Sequence, residues 1–246
     1  MTHRSDVLVV GGGVAGLTAA TFTARAGLDT LVLSAGESIL ARNAHLENVP
    51  GFPVGVDARR FLSLCAEGAE RNGVALRHGE VTALRDEERF VAETMEGERF
   101  EADYVVAASW SESSYLDSLA VEAKERGSKT YLDPDPEGRT SVPGLYAAGR
   151  VAGASHQTVV AAGDGATAAL TLLHDSEVPF YHDWVAPEGY FTERGREVPP
   201  GCEEIDAEER ERRARESREL MRERFEEPYP EDPTMHPSVV ESEADR

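Results

Sequence analysis

Apolar positions along the chain gather in short runs separated by glycine-rich or charged stretches. The first run, Val7, Leu8, Val9 and Val10, has no polar interruption, as in a strand buried on both faces. Gly11, Gly13 and Gly16 follow it in G-x-G-x-x-G register. Alanine-rich Leu17 to Ala26 predicts a helix ending at Gly27, and Thr30 to Leu33 predicts the next strand. Strand, glycine turn, helix and strand together predict a dinucleotide-binding βαβ unit. Its logic is a tight turn at Gly11, close backbone approach to a pyrophosphate at Gly13 and close helix–strand packing at Gly16. Free N–H groups at the helix start then face the phosphate charge. The alternative is a glycine-rich turn that binds nothing.

Ser34 to Pro53 has little periodicity and reads as a loop that covers a ligand or crosses the sheet edge. Asp57 is placed to cap a helix over Ala58 to Asn72, with Phe61, Leu62, Cys65 and Ala69 on one face and Gly73 as its stop. Val74 to Arg77, Glu80 to Arg85, Arg89 to Thr94 and Arg99 to Glu101 alternate like short antiparallel strands. Ala102 to Ala108 reads as a buried strand that returns the chain to the central sheet. Ser109 to Gly127 predicts a loop and a helix with Leu116, Leu119 and Ala123 inward. A strand around Thr130 to Leu132 and a short one over Leu145 to Ala148 follow, the latter ending in Gly149. Val159 to Leu173 predicts a helix whose Gly163 and Gly165 allow close packing on the sheet.

Beyond His174 the character changes. Phe180 to Pro200, rich in aromatics, Gly and Pro, reads as an extended arm held by aromatic burial. Asp206 to Glu227 predicts a charge-dense helix with Glu/Arg pairs at helical spacing, its apolar stripe limited to Ala214, Met221 and Phe225. Glu231 to Arg246 reads as disordered. The organisation expected is a body over residues 1–175 and a C-terminal extension over 176–246.

Composition narrows the partners. The chain has 246 residues, 46 of them acidic against 25 Lys and Arg, for a formal net charge of −21. That argues against nucleic-acid backbones and anionic membranes. So large an acidic excess also fits a halophilic protein, because concentrated salt screens the self-repulsion; acidic surfaces occur in mesophiles too. The two cysteines, Cys65 and Cys202, are far apart, with no C-x-x-C and no metal-type spacing. The expectation is a buried, inert Cys65 and an incidental Cys202. No secretory or membrane-spanning pattern stands out, so the expectation is a soluble cytoplasmic protein without metal.

Three stretches together resemble the thioredoxin-reductase-like family of two-dinucleotide-domain flavoproteins. They are G-G-G-V-A-G at Gly11 to Gly16, E-N-V-P-G-F-P at Glu47 to Pro53, and G-L-Y-A-A-G with H-Q-T-V-V-A-A-G-D-G-A at Gly144 to Gly149 and His156 to Ala166. The resemblance covers roughly Ser5 to His174 and implies an α/β fold: a three-layer FAD-binding Rossmann-type domain, a parallel central sheet and a small antiparallel crossover sheet. It also implies FAD as cofactor and a homodimer. By the family's pattern Gly11, Gly13 and Gly16 would cradle the FAD pyrophosphate, bordered by Val14, Ala15 and Ala108. Asn48 would lie near the flavin ring or ribityl, Val81 by the adenine, and Gly149 with Arg150 by the ribityl and phosphate. His156, Gln157 and Thr158 would sit at a helix start beneath the flavin, where free N–H groups favour the negative charge of a reduced ring.

The departures from the family are equally specific. It places an NAD(P)H-binding domain between the strands at Val105 and Leu145, but that gap has no second G-x-G-x-x-G and is too short for a domain of on the order of 100 residues. A short bridge over about 109–140 stands there, and the redox C-x-x-C of that domain is absent. Ala107-Ala108-Ser109 replaces A-T-G, Arg150 replaces an acid after A-A-G, and the Gly-Gly-Gln loop becomes Glu37-Ser38-Ile39-Leu40. Ser34 ends the second strand where an acid would hold the ribose, with Glu37 the nearest alternative. Arg150 either serves the FAD phosphates or reduced flavin, or pairs with an acid such as Asp164. His156 is the candidate catalytic proton donor or acceptor, or else a helix-capping residue. Tyr181, His182, Asp183 and Trp184 either close over the site or pack on the body. Two functions follow: a minimal FAD-dependent oxidoreductase fed by free NAD(P)H or a redox partner protein, or a non-catalytic descendant acting as a binding module.

Overall fold

In the computed structural model, which describes residues 2–127, 129–236 and 238, the first apolar run is the buried core of a nine-residue strand, β1 (Thr2–Val10). Helix α1 (Val14–Arg25) starts at Val14 rather than Leu17, because Gly13 is already its N-cap and Gly16 lies inside its first turn. β2 (Thr30–Ser34) runs parallel to β1. The long loop after it carries a 3₁₀ turn at Ile39–Arg42. Helix α2 (Ala58–Arg71) is capped by the Asp57 carboxylate, which accepts from the N–H groups of Arg59 and Arg60.

β3 (Ala75–His78) pairs parallel with β2, not antiparallel as its alternation suggested. Helix α2 is the crossover that brings the chain back in the same direction. β4 (Val81–Asp86) and β5 (Phe90–Thr94) form the antiparallel excursion, and β6 (Arg99–Ala107) is one strand where two were expected. Its first half pairs antiparallel with β5, its length pairs parallel with β1, and its last three residues pair parallel with a later strand. The crossover is therefore part of the central sheet rather than a separate one. The sheet order is β3-β2-β1-β6-β5-β4.

Between Ala107 and the return to the sheet the expected helix is absent. Ser114–Leu119 is a 3₁₀ turn that buries Tyr115 and Leu116, and it stops at Ala120 in the left-handed conformation. Ala123 is exposed and starts a hairpin, β7 (Ala123–Arg126) with β8 (Lys129–Leu132). β9 (Leu145–Ala147) then joins β6, and α3 (Thr158–Asp175) follows.

Side chains alternate across the sheet with period two. Val7, Val9, Val32, Val106 and Tyr146 share one face with Ala19, Ala20, Ala168 and Leu172 of the helices. Leu8, Val10, Leu33, Val105 and Leu145 pack on the other with Phe90, Tyr115, Leu116 and Leu132. Gly165 packs α3 against α1 rather than on the sheet as expected, an added Cβ lying 2.1 Å from the Ala15 carbonyl oxygen. Gly163, expected to share this role, faces open space.

Contacts divide the chain into two compact units, Met1–Ser176 with Pro233–Arg246, and Glu177–Asp232. The second unit carries more regular structure than an arm. β10 (Trp184–Pro187) pairs parallel with β11 (Cys202–Ile205). Trp184, Tyr190 and Phe191 form a cluster of edge-on rings, of which Phe191 is buried while Trp184 and Tyr190 stay exposed, as does Tyr181 outside it. Burial works to raise the Glu204 carboxyl, but hydrogen bonds from Phe191, Thr192 and Gly189 outweigh it and hold it at about 2. Helix α4 (Ala207–Glu226) is capped by Asp206 and laced by ion pairs such as Arg213–Glu203, and none of its residues is buried. Residues 231–236 have no regular structure; residues 237 and 239–246 of the tail expected to be disordered lie outside the described residues.

The two helix glycines of α3 give opposite expectations. Gly163→Ala is expected to raise stability by about 0.5–1 kcal/mol through helix propensity. Gly165→Ala is expected to lower it by about 1–3 kcal/mol or more, as an overpacked contact does. Urea denaturation of both variants checks the pair.

Candidate functional site

The carboxyl ends of β1, β2, β6 and β9 open into one cavity of about 1020 Å³. That is the upper end of the roughly 300–1,000 Å³ typical of small-molecule sites. It lies where open parallel sheets bind ligands.

One end is backbone. Gly11 adopts φ +121°, and an added Cβ would lie 2.4 Å from the Ala108 carbonyl oxygen. Gly13, Val14 and Ala15 line the cavity at the start of α1, and no side chain caps that helix. Helix α3 also begins at the cavity without a side-chain cap, its N-cap being Gln157. By contrast α2 and α4, which begin elsewhere, are capped by Asp57 and Asp206. Two sets of free N–H groups thus face one space, an arrangement that suits anionic ligand groups. Gly16 does not line the cavity: its added Cβ would lie 1.9 Å from the Gly11 carbonyl oxygen, so it is a packing position.

The flanks are polar. Ser34 at the end of β2 stands beside Gly12, and Glu37 and Ser38 line the next turn. Asn48 donates to the Gln157 side-chain oxygen at 2.6 Å, tying the long loop to the start of α3. Val81 borders the cavity with Gly79 and Glu80. Gly149, at φ +75°, donates its N–H to the Asp164 carboxylate at 2.5 Å. Thr158 is buried at the first turn of α3 and also lines the cavity.

The remaining end is built around Arg150. Its pairing with Asp164 is overturned, because Asp164 is engaged by the Gly149 N–H and the guanidinium turns the other way. Arg150 donates to the Tyr131 hydroxyl at 2.5 Å and to the Ala154 carbonyl at 3.3 Å. Its guanidinium carbon lies 4.7 Å from the Tyr131 ring centroid and 6.0 Å from that of Trp110. The His156 ring sits 4.3 Å from Trp110. His156 is exposed in the cavity wall and makes no capping bond.

Fourteen of the residues singled out from sequence therefore line this space, with Gly16 behind it. Sequence reasoning missed Gly12, Ser38, Trp110 and Tyr131. A lone Trp between Ser109 and Ser111 was a readable signal; Tyr131 carried none. Cys65 is half-buried on α2, and burial pushes its thiol up to about 11, which leaves it inert. Among the described residues no cluster of His, Cys, Asp or Glu could hold a metal, and no helix is long and apolar enough to cross a membrane.

Strand order, glycine turn and cavity define a Rossmann-type dinucleotide-binding domain. A family model described as FAD binding domain matches residues 6–46, and one described as pyridine nucleotide-disulphide oxidoreductase matches residues 46–165. Through this region the chain belongs to the thioredoxin-reductase-like family of FAD-dependent pyridine nucleotide-disulphide oxidoreductases. Thioredoxin reductase of Listeria monocytogenes is 32% identical over 122 residues, 48% of this chain and 37% of that enzyme. That of Aquifex aeolicus is 36% identical over 108 residues, 42% of this chain and 33% of that enzyme. The chain thus spans about a third of the length of these relatives. Among solved structures, a thioredoxin reductase from Gloeobacter violaceus superposes with a TM-score of 0.63 at 18% identity, covering 73% of this chain and 99% of that one. An oxidoreductase from Agrobacterium tumefaciens gives 0.64 at 16% identity, covering 70% and 98%. These likenesses carry the fold.

FAD is the cofactor of this family, and the cavity fits it: a Cβ-free turn, two uncapped helix starts and room for a dinucleotide.

Burial, then the charges of Arg150 and Lys129, push the His156 imidazole below its ordinary 6.5. The folded chain therefore binds this proton less readily than the unfolded one. The contribution of His156 to stability is present above pH 6.5 and falls as pH drops through that value. A proton-resonance titration is expected to place the His156 midpoint below 6.5, and Arg150→Gln is expected to move it upward.

Proposed function

We propose that the chain is a minimal FAD-dependent oxidoreductase that takes its electrons from outside, from free NAD(P)H or a redox partner protein. The observation that carries this reading is the pair of uncapped helix starts at a glycine-lined cavity. Gly12 to Ala15 would hold the pyrophosphate through backbone N–H groups, with no side chain in the way, while the Gly11 N–H is taken by the Leu33 carbonyl. Ser34 or Glu37 would accept from a ribose hydroxyl at the end of β2. Thr158, the first residue of α3, would place its N–H group beneath the ring, and Gln157, whose own N–H is taken by the Ser155 carbonyl, would bind Asn48 and so hold the loop over it. His156, neutral at neutral pH, would accept or release a proton at its ring nitrogen. FAD, when bound, supplies hydride or electron transfer.

An external donor is supported by what lies between β6 and β9. A 3₁₀ turn and the β7–β8 hairpin fill that stretch, short of the on the order of 100 residues that a second dinucleotide domain needs. Cys65 and Cys202 form no C-x-x-C, so a disulfide relay of the usual kind has no residues to run on. Arg150, standing where the family has an acid, favours the second reading: a descendant that keeps the fold as a binding module.

Native purification in molar salt, a visible spectrum and chromatography of the released cofactor separate the two. A flavin spectrum with stoichiometric FAD is expected. Gly13→Val is the control, because φ −79° accepts any residue and the side chain would stand in the phosphate cradle. It is expected to fold normally by circular dichroism and to lose FAD affinity by on the order of tenfold or more. A folded, colourless chain that refuses added FAD would sink the oxidoreductase reading.

A further inference from the structure

The chain carries 46 acidic residues, yet among the described residues Arg150 forms no ion pair. A guanidinium offers five N–H donors. The protein accepts two of them, both with neutral oxygens, Tyr131 hydroxyl and Ala154 carbonyl. Its buried Nε has no partner. A partly buried cation left uncompensated in a strongly acidic chain is costly unless an anion arrives from elsewhere.

The position of that charge separates it from the phosphate cradle. Gly149 abuts α1, an added Cβ lying 2.9 Å from the Ala15 side chain. The Arg150 side chain leaves this contact and reaches Tyr131 on β8 and Trp110 after β6. Both aromatics belong to the stretch between β6 and β9. Trp110 is 37% exposed, and the His156 ring stands beside it at 49°. Trp110, Arg150 and His156 all line the cavity. Flat π surfaces flanking a guanidinium whose two terminal nitrogens each keep one N–H unfilled suit a flat molecule ending in a carboxylate.

We propose that this corner is a binding subsite for a small flat organic anion, its carboxylate on Arg150 and its ring against Trp110 and His156. Its use as the substrate subsite of a flavoprotein rests on the reading given under Proposed function; the binding itself does not.

The two tryptophans are Trp110 and Trp184, so a Trp184→Phe background leaves Trp110 as the sole reporter. Sodium benzoate, at ionic strength matched with sodium chloride, is expected to quench Trp110 fluorescence saturably. Arg150→Gln is expected to weaken that binding about 10- to 100-fold, as the loss of a charge-assisted hydrogen bond does. Arg150→Lys, which keeps the charge without the fork, is expected to fall between. Benzyl alcohol, the same ring without charge, is expected to bind at least about tenfold more weakly to the unmutated site. Repeated on the FAD-loaded chain, the titration is expected to persist and to perturb the flavin absorbance. No quenching by benzoate, equal binding to Arg150→Gln, or loss of the response on FAD loading would each overturn the proposal, the last because Arg150 would then be serving the cofactor. A chain that takes up no FAD but still binds benzoate through Arg150 would overturn the flavin reading and leave the subsite standing.

Discussion

The structure depends on backbone meeting backbone at the end of β1. An added Cβ at Gly16 would lie 1.9 Å from the Gly11 carbonyl oxygen, and one at Gly11 would lie 2.4 Å from that of Ala108. Gly165 brings α3 against the Ala15 carbonyl in the same way, and Gly149 brings the end of β9 against the Ala15 side chain. No residue with a side chain satisfies these approaches without moving an element. Because they hold, the carboxyl ends of four parallel strands and the starts of two helices converge on one space. Convergence of uncapped N–H groups turns the positive ends of two helix dipoles toward that space.

That local preference opposes the charge of the whole. A net charge of −21 repels anions at long range, and salt shortens that range to about 10 Å or less at 0.1 M and above. Inside the cavity the donors are fixed and close: the first turns of α1 and α3, and Arg150 beside Trp110 and His156. The helix starts and the Arg150 corner differ in origin. The first is made by the sheet and its helices. The second is made by the stretch between β6 and β9, whose hairpin supplies Tyr131 and whose first residues supply Trp110. The helix starts thus share one cavity with a wall built by the stretch between β6 and β9.

The second unit solves a different problem. Helix α4 buries nothing, so its order rests on a capping carboxylate, Arg–Glu pairs and the neighbouring β10–β11 pair. Exposed ion pairs contribute little singly. Arg213 binds both Glu203 on β11 and Glu209 one turn away, which links helix to strand.

Much of this was legible in the chain. The βαβ unit, the Asp57 cap, the returning strand and fourteen residues of the cavity wall followed from spacing, glycine sterics and family motifs. Other features were not. β6 shows two patterns, one-sided alternation and then continuous burial, and so reads as two strands; it is one, because β5 leaves it where β9 arrives. β3 alternates like an antiparallel strand but runs parallel, since direction is set by the crossover before it. Of the β7–β8 hairpin only the β8 strand was legible, and β10–β11, with four residues to a strand and mixed burial, leave no period to detect. Arg150 was recognised as out of pattern, yet its partner could not be read.

The sequence by itself determined the glycine turn after β1, the Asp57 cap of α2 and the intolerance of Gly11 and Gly16 to any side chain, because these are local and steric. The tertiary structure alone decided strand direction, the union of Asn48 with Gln157 across 109 positions and the turn of Arg150 from Asp164 to Tyr131. Those outcomes depend on which distant groups compete for the same partner in space, and local sequence carries no record of that competition.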